Sequence, residues 1–358
     1  MHHRADYRKI LVVKPSSLGD VVHSLPFLNA LKHCFPKAEV HWVIAKGLEG
    51  LLERHPMVAK SIVINKDLWK KISRAGDTVA EIRQLYRMLR SEHYDLVVDL
   101  QGLLRSGLIT LATHAPVRIG FAEAREGSKL FYTTKVRGGR DLHAVERYMK
   151  VAAALGCPAG ESIVLFPLPL RESDRIMRIR ADLQEYAVIV PGARWRTKIW
   201  PAENFGKVAA RLPIRSVVIG GSGDRAIAEE VVLASSGQAM SLAGETNLPE
   251  LIELMRSARL VITNDSGPMH IAAALNVPVI AVFGPTSPVL TGPYGKGHVI
   301  LQSTAPCAPC FKKKCADRYC MHGITPEAVI EKARTVLEMR ESLSALKCDR
   351  WRGSLPLP

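Results

Sequence analysis

The sequence predicts an α/β protein of two doubly wound domains in tandem, and three observations carry that reading. Short apolar runs alternate with helix-period segments from the start, the rhythm of a parallel sheet covered on both faces. The rhythm halts at a stretch dense in glycine and proline and then begins again. A length of 358 residues allows about two domains, each burying a core without disulfides or a structural metal.

In the first half, ILVV (10–13) reads as a strand and DVVHSLPFLNALKHC (20–34) as the helix after it. VHWVIA (40–45) and SIVI (61–64) are further strands, with a short helix between them. DTVAEIRQLYRMLRSE (77–92) repeats its apolar positions at helical spacing, DLVVDL (95–100) returns to a buried strand, and GLLRSGLITLAT (102–113) to a helix. One more helix is expected over 144–155. In GCPAGESIVLFPLPLRES (156–173) the prolines break any helix or central strand, so the linker falls there. YAVIV, RSVVIG, RLVIT and VPVIAVFG are the strands of the second half, and PAENFGKVAARL, DRAIAEEVVL, LPELIELMRSA and GPMHIAAAL its helices. A terminal helix starts after an N-cap at Thr325, with Pro326 in its first position. The expected domains are 1–160 and 161–325, followed by a helix and tail over 326–358.

Composition narrows the function. Hydrophobic residues at 47% and a mean hydropathy of +0.05 exclude a disordered, collagen-like or coiled-coil chain. The longest apolar run, IAAALNVPVIAVF (271–283), is interrupted by Asn276 and Pro278 and is too short to span a bilayer. The first residues contain no apolar run of signal-peptide length, so a cytoplasmic location is expected. A formal net charge of +15 favours anionic partners, and two thirds of it lies before residue 160. Residues 66–90 are especially basic and place Leu68, Trp69 and Ile72 among the lysines.

Ligands of open α/β sheets bind beyond the carboxyl ends of the strands, so the chemistry is expected in the turns there. KPSSLGDVVH (14–23) is not a dinucleotide fingerprint; Ser16, Ser17, Gly19 and Asp20 suit either an anion site or a plain helix cap. NDSGPMH (264–270) sets Asp265, Ser266 and Gly267 at a helix start with His270 one turn on, again a phosphate site or a cap with a core histidine. PGARWRTKIWP (191–201) brings Arg194, Arg196 and Lys198, suited to a diphosphate, and GGSGDR (220–225) brings Asp224, suited to a ribose. Cys307, Cys310, Cys315 and Cys320 crowd one loop outside the expected strand-end turns. Four thiolates there are read as a structural zinc site, an iron–sulfur site or simply reduced surface thiols.

Together, KPSSLGDVVHSLP (14–26), DLQGLLRSG (99–107), GFAEAREGSKLFY (120–132), HAVER (143–147), PGARWRTKIWP and NDSGPMHIAAALNVPVIAVFGPTSP (264–288) resemble the lipopolysaccharide heptosyltransferases, the ADP-heptose-dependent glycosyltransferases of family nine. HAVER and DLQGLLRSG are most similar to members that add the first heptose rather than the second. The resemblance implies a GT-B fold of two Rossmann-like domains facing a cleft and inverting transfer from ADP-heptose to the Kdo of Kdo-lipid A. It also implies an enzyme that needs no catalytic cofactor, binds no nucleic acid, and works at the anionic cytoplasmic face of the inner membrane. It implies Asp20 as general base, with Ser17, Gly19, Arg194, Lys198, Asp224, Asp265, Ser266, Gly267 and His270 toward the donor. Lys66, Lys70, Lys71, Arg125 and His143 would face the acceptor. Family members often carry hydroxyl residues where Ala193 and Arg194 stand, so Arg194 would offer charge in their place. Against this stands the other reading of a basic chain with clustered cysteines, a nucleic-acid-binding protein with a zinc module, although no nucleic-acid-binding pattern is present.

Overall fold

The computed structural model describes residues 6–65, 75–169 and 171–352, with 75–78 and 341–352 described as backbone alone. Contacts divide the chain into Met1–Leu170 and Arg171–Pro358. The division lies inside the glycine- and proline-rich stretch but after residue 160, because Asn29 Nδ2 donates to the Ile163 carbonyl (2.9 Å) and His55 Nε2 bonds that of Pro167, tying this segment to the first unit.

In the first unit, β1 (Lys9–Val13) leads into α1 (Leu18–His23) and α2 (Leu25–Cys34), where one continuous helix was expected. Pro26 has no N–H to continue the ladder, so the chain breaks at Ser24, whose Oγ donates to the Val21 carbonyl at 2.7 Å. β2 (Glu39–Ala45), β3 (Lys60–Ile64), α3 (Ala75–Ser91), β4 (Leu96–Asp99), α4 (Leu104–Ala112), β5 (Val117–Phe121), β6 (Thr134–Val136) and α5 (Ala144–Ala154) follow. The strands form one parallel sheet in the order β3-β2-β1-β4-β5-β6. On one face Leu11, Val13, Val43, Ile62, Ile64 and Val97 pack beneath Leu89 of α3 and Ile109 and Ala112 of α4.

The second unit contains α6 (Asp174–Leu183), β7 (Tyr186–Val190), α7 (Ala202–Arg211), β8 (Arg215–Val218), α8 (Arg225–Ala234), β9 (Ala239–Ser241), α9 (Leu248–Arg256), β10 (Leu260–Asn264), α10 (Gly267–Ala274), β11 (Val279–Phe283), α11 (Pro288–Thr291), β12 (Val299–Gln302), α12 (Tyr319–His322) and α13 (Pro326–Arg352). Its sheet is also parallel, in the order β12-β11-β10-β7-β8-β9. The terminal helix does not stand apart from it: Val329, Ile330, Ala333 and Leu337 join Trp200 and Phe205 in its core. In each sheet the chain reverses its direction of travel between two central neighbours, β1 and β4 in the first unit and β7 and β10 in the second. Just outside the carboxyl ends of such a pair the following turns diverge and leave a crevice.

Candidate active site

In the first unit that crevice is a pocket of about 460 Å³ built from the turns after β1, β4 and β5 and from α5. Lys14, Asp20, Gln101, Glu123, Arg125, Arg140, Arg147 and Tyr148 line it. Asp20 sits in the first turn of α1. Its Oδ2 accepts from the Ser17 backbone N–H (3.0 Å) and from Ser17 Oγ (2.6 Å), which is the capping function. Its Oδ1 lies 3.8 Å from Lys14 Nζ and accepts from the Tyr148 hydroxyl at 3.4 Å. The cap fixes one oxygen and thereby aims the other, and the side chain stays 40% exposed toward the pocket. Ser17 is thus a holder of Asp20, and Gly19 is buried beside it in α1.

Lys14 is only 3% exposed. Burial, the largest single influence, works against its cation, but Asp20, Tyr148 and Asp99 together outweigh it and leave the ammonium pKa above its ordinary value. Its ammonium also lies 5.3 Å from the centre of the Tyr148 ring. A fixed positive charge therefore faces Asp20 at any pH near neutrality. The turn after β4 is stiffened by buried Asp99, which accepts from the N–H groups of Gln101 (2.8 Å) and Gly102 (3.0 Å) and from the Tyr132 hydroxyl (2.7 Å). Burial raises the Asp99 pKa in spite of those bonds. Arg147 stacks on Phe121 at 5.1 Å, and its buried Nε has no hydrogen-bond partner among the described residues.

Of the expected acceptor residues, Arg125 lines this pocket. His143 instead caps α5, its Nδ1 accepting from the Val145 N–H at 3.2 Å, and so starts the helix that carries Arg147 and Tyr148 inward. Lys66, Lys70 and Lys71 lie outside the described residues. Lys14, Arg140, Arg147 and Tyr148 escaped the sequence reading as site residues. The signal for Arg147 was present in HAVER, one helical turn beyond His143.

In the second unit the turns after β7, β8, β10 and β11 converge. Lys198 Nζ meets Asp265 Oδ2 at 2.5 Å, and Thr286 Oγ1 donates to the same oxygen at 2.6 Å. Lys198 also stands 4.6 Å from the Trp195 ring centre. Asn264 ties the turns together, its Nδ2 donating to the Pro191 carbonyl (2.7 Å) and its Oδ1 accepting from the Trp200 N–H (3.1 Å). Asp224 accepts from the Gly221 N–H at 2.9 Å and packs so closely on Gly192 and Gly220 that a Cβ on either would lie 2.6 or 2.7 Å from it. A side chain at either position would have to displace the Asp224 carboxylate. Ser266 is the N-cap of α10, Gly267 its first residue, and His270 is buried one turn in. Arg194 is exposed on the same loop as Lys198. Thr286 and Asn264 were not singled out as ligand contacts in the sequence, whereas Trp195 reads there as a residue that stacks on a ligand or simply packs.

The cysteine loop differs from expectation in two ways. It follows a strand, β12, that the sequence reading passed over although Val299, Ile300 and Leu301 are apolar in a row; its four residues alternate between half-buried and exposed. It also braces the turns after β7 and β11: the Lys312 carbonyl accepts from Thr197 Oγ1 (2.9 Å), Phe311 N–H donates to Pro285 O (2.7 Å), and Lys313 Nζ lies 5.3 Å from the Trp195 ring centre. The thiols do not fit the expected zinc. No group of three or more His, Cys, Asp or Glu side chains is placed to hold a metal ion among the described residues. Cys307 and Cys315 are exposed and Cys310 half-buried, whereas Cys320 is turned into the core against Gly284. Burial pushes the Cys320 thiol pKa up, and the three other cysteines add to the rise. Cys307 and Cys315 are accordingly expected to react first with a thiol reagent, with Cys320 lagging at neutral pH and catching up as pH rises. Protection of all four thiols together with about one zinc per chain would restore the metal site.

The description "Glycosyltransferase family 9 (heptosyltransferase)" matches residues 82–320. The chain is 34% identical to lipopolysaccharide heptosyltransferase 1 of Pseudomonas aeruginosa over 86% of its own length and 87% of that protein. It is 30% identical to lipooligosaccharide heptosyltransferase 2 of Haemophilus ducreyi, over 82% and 88% respectively. Among solved structures, E. coli heptosyltransferase WaaC with ADP-2-deoxy-2-fluoro heptose matches with a TM-score of 0.74 and 26% identity, covering 91% of this chain and 99% of that one.

Proposed function

The chain belongs to glycosyltransferase family 9, the heptosyltransferases, and from that premise we propose that it moves L-glycero-D-manno-heptose from ADP-heptose to the Kdo of Kdo-lipid A. The fold is GT-B, as in the matching heptosyltransferase structures. The observation that carries the acceptor assignment is the company Asp20 keeps: a carboxylate in a pocket with Lys14, Arg125, Arg140 and Arg147. Such a pocket suits an acceptor whose hydroxyl must lose a proton while a neighbouring carboxylate is held by guanidinium groups. Kdo is an acidic sugar of that kind. Arg147, with its unpartnered Nε, is the natural seat for the acid group.

Lys198 and the start of α10 at Ser266 and Gly267 would face the diphosphate, with Asp224 toward the ribose and His270 nearby. In the reaction, the acceptor oxygen forms its bond to the anomeric carbon while the bond from that carbon to the diphosphate breaks. The electron pair leaves on ADP, and the hydroxyl proton passes to Asp20 late in the step. An oxocarbenium-like transition state needs only such late help, and attack from the face opposite the diphosphate inverts the centre. Lys198 stabilises the leaving charge without any group beyond this chain's own residues.

An acceptor of that kind would call for work at the cytoplasmic face of the inner membrane, with the enzyme attached peripherally. No described helix is long and apolar enough to cross a bilayer. Family membership removes the nucleic-acid-binding alternative. Transfer of a second heptose remains as the rival, favoured by the 30% identical relative. Mass spectrometry of Kdo-lipid A after incubation with ADP-heptose tests both. A heptose-sized gain supports the proposal, a gain only on acceptor that already carries one heptose supports the rival, and none with any nucleotide sugar removes both.

A further inference from the structure

The outward face of α4 is apolar where a solvent-facing helix is ordinarily polar. Every position of that helix in the exposed class is a leucine, each about half exposed: Leu104, Leu108 and Leu111, spaced four and three apart so that they stand on one side. Leu108 is 50% exposed, while Ile109 and Ala112 on the other side enter the core. Two neighbouring elements extend the surface. The turn 128–131 packs on α4 through Phe131 against Gly107 and leaves Leu130 77% exposed. On the other flank α3 covers the same face of the sheet and exposes Val79, Ile82 and Tyr86, again at helical spacing, with the Tyr86 hydroxyl 2.8 Å from His114 Nε2 just past the end of α4.

The rim of this surface is basic. Arg83, Arg87 and Arg90 are exposed along α3 and Lys129 beside Leu130, against the acidic Glu81 and Glu126. Glu126 accepts from the Leu104 N–H at 3.1 Å, at the start of α4. The surface also begins at the acceptor pocket, since Leu104 follows two residues after Gly102 and Leu130 five after Arg125, both in the pocket wall. We infer that this leucine face of α4, with Leu130 and the outer stripe of α3, docks the first unit on an anionic lipid bilayer beside the mouth of the acceptor pocket. Apolar side chains enter the headgroup boundary while the arginines meet anionic headgroups, the arrangement that holds interfacial helices on membranes. A lipid-linked sugar then reaches Asp20 without leaving its leaflet. This inference rests on the lipid-linked acceptor proposed above.

Vesicles without acceptor test the docking separately from the chemistry. The wild-type chain is expected to co-sediment with phosphatidylcholine vesicles containing about a third phosphatidylglycerol and much less with phosphatidylcholine alone, and added salt should weaken the binding. Replacing Leu108, Leu111 and Leu130 together by Gln is expected to lower partitioning to the anionic vesicles at least about ten-fold. Transfer to an acyl-free Kdo acceptor should be unchanged in that variant, which also reports that it is folded. Arg83→Glu with Arg87→Glu, a change confined to exposed positions, should weaken binding and flatten its salt dependence. Vesicle binding unaltered in both variants, or no binding by the wild type, overturns the inference. So does a wild-type dimer that the leucine variant dissociates, because a second copy would then be the occupant. Failure of the wild type to glycosylate the acyl-free acceptor would instead strike the proposed function, whatever the vesicles show.

Discussion

Asp20→Asn is expected to lower kcat by about two orders of magnitude or more, the usual scale for a positioned base, while ADP binds as tightly as before. The substitution keeps a carbonyl oxygen able to accept from the Ser17 N–H and hydroxyl, so α1 keeps its cap. It removes the second carboxylate oxygen, the one held near Lys14 and Tyr148, and with it the proton acceptor. An amide in that orientation turns an NH₂ toward the buried Lys14 ammonium, whose raised pKa keeps it charged, so no substitute base is created. Asp20→Ala separates the two roles of the residue. It should lose the same turnover and also about 1 kcal/mol of stability from the missing cap. Calorimetry with ADP beside a transfer assay and a melting curve reads all three quantities. Turnover within a few-fold of wild type in Asp20→Asn would reduce this residue to its cap.

The site was legible in the sequence to the extent that its residues sit in turns next to long apolar strands. ILVV followed by KPSSLGD announces both the strand and the turn, and RLVIT followed by NDSG does the same in the second half. Three short strands left no such trace: TKV of β6 and AMS of β9 have three residues each and no apolar run, and VILQ of β12 stands alone after a turn rich in glycine. Missing β12 is what put the cysteine loop in the wrong place. Helix α6 was hidden for another reason, since only Ile176 and Leu183 of its residues are buried and the rest carry many charges. Lys14 illustrates a deeper limit. A lysine before a proline and two serines reads as solvated, and only the packing of Tyr148, 134 residues away in sequence, makes it a buried counter-charge. Burial of polar groups is settled by tertiary contacts between distant segments, so the pocket around Asp20 emerges from the fold while the turns of the second unit could be read in sequence.

Replacing Lys198 by Ala should cost about 10²- to 10³-fold in kcat/KM for the nucleotide sugar, with part of the loss in kcat. Asp265 is 6% exposed, and its carboxylate is neutralised by Lys198 at 2.5 Å. Without that lysine the described carboxylate keeps the Thr286 hydroxyl at 2.6 Å but loses its nearest counter-charge, beside the place proposed for a diphosphate. Two penalties then add: the leaving group loses its cation, and it gains a repelling neighbour. Adding Asp265→Asn to Lys198→Ala should relieve the second penalty alone, so donor affinity recovers in part while kcat stays low. The two substitutions are thus expected to be clearly non-additive, as for groups in direct contact. Arg194→Ala supplies the control, because Arg194 is exposed and a loosely held charge there should matter only a few-fold. Initial rates over a range of donor concentrations, with ADP calorimetry on each variant, separate these terms. A change of less than two-fold in Lys198→Ala with a large one in Arg194→Ala would move the diphosphate out to the tip of the loop. In that case the charge at Arg194 holds the diphosphate, and the Lys198–Asp265 pair serves only to hold two turns together.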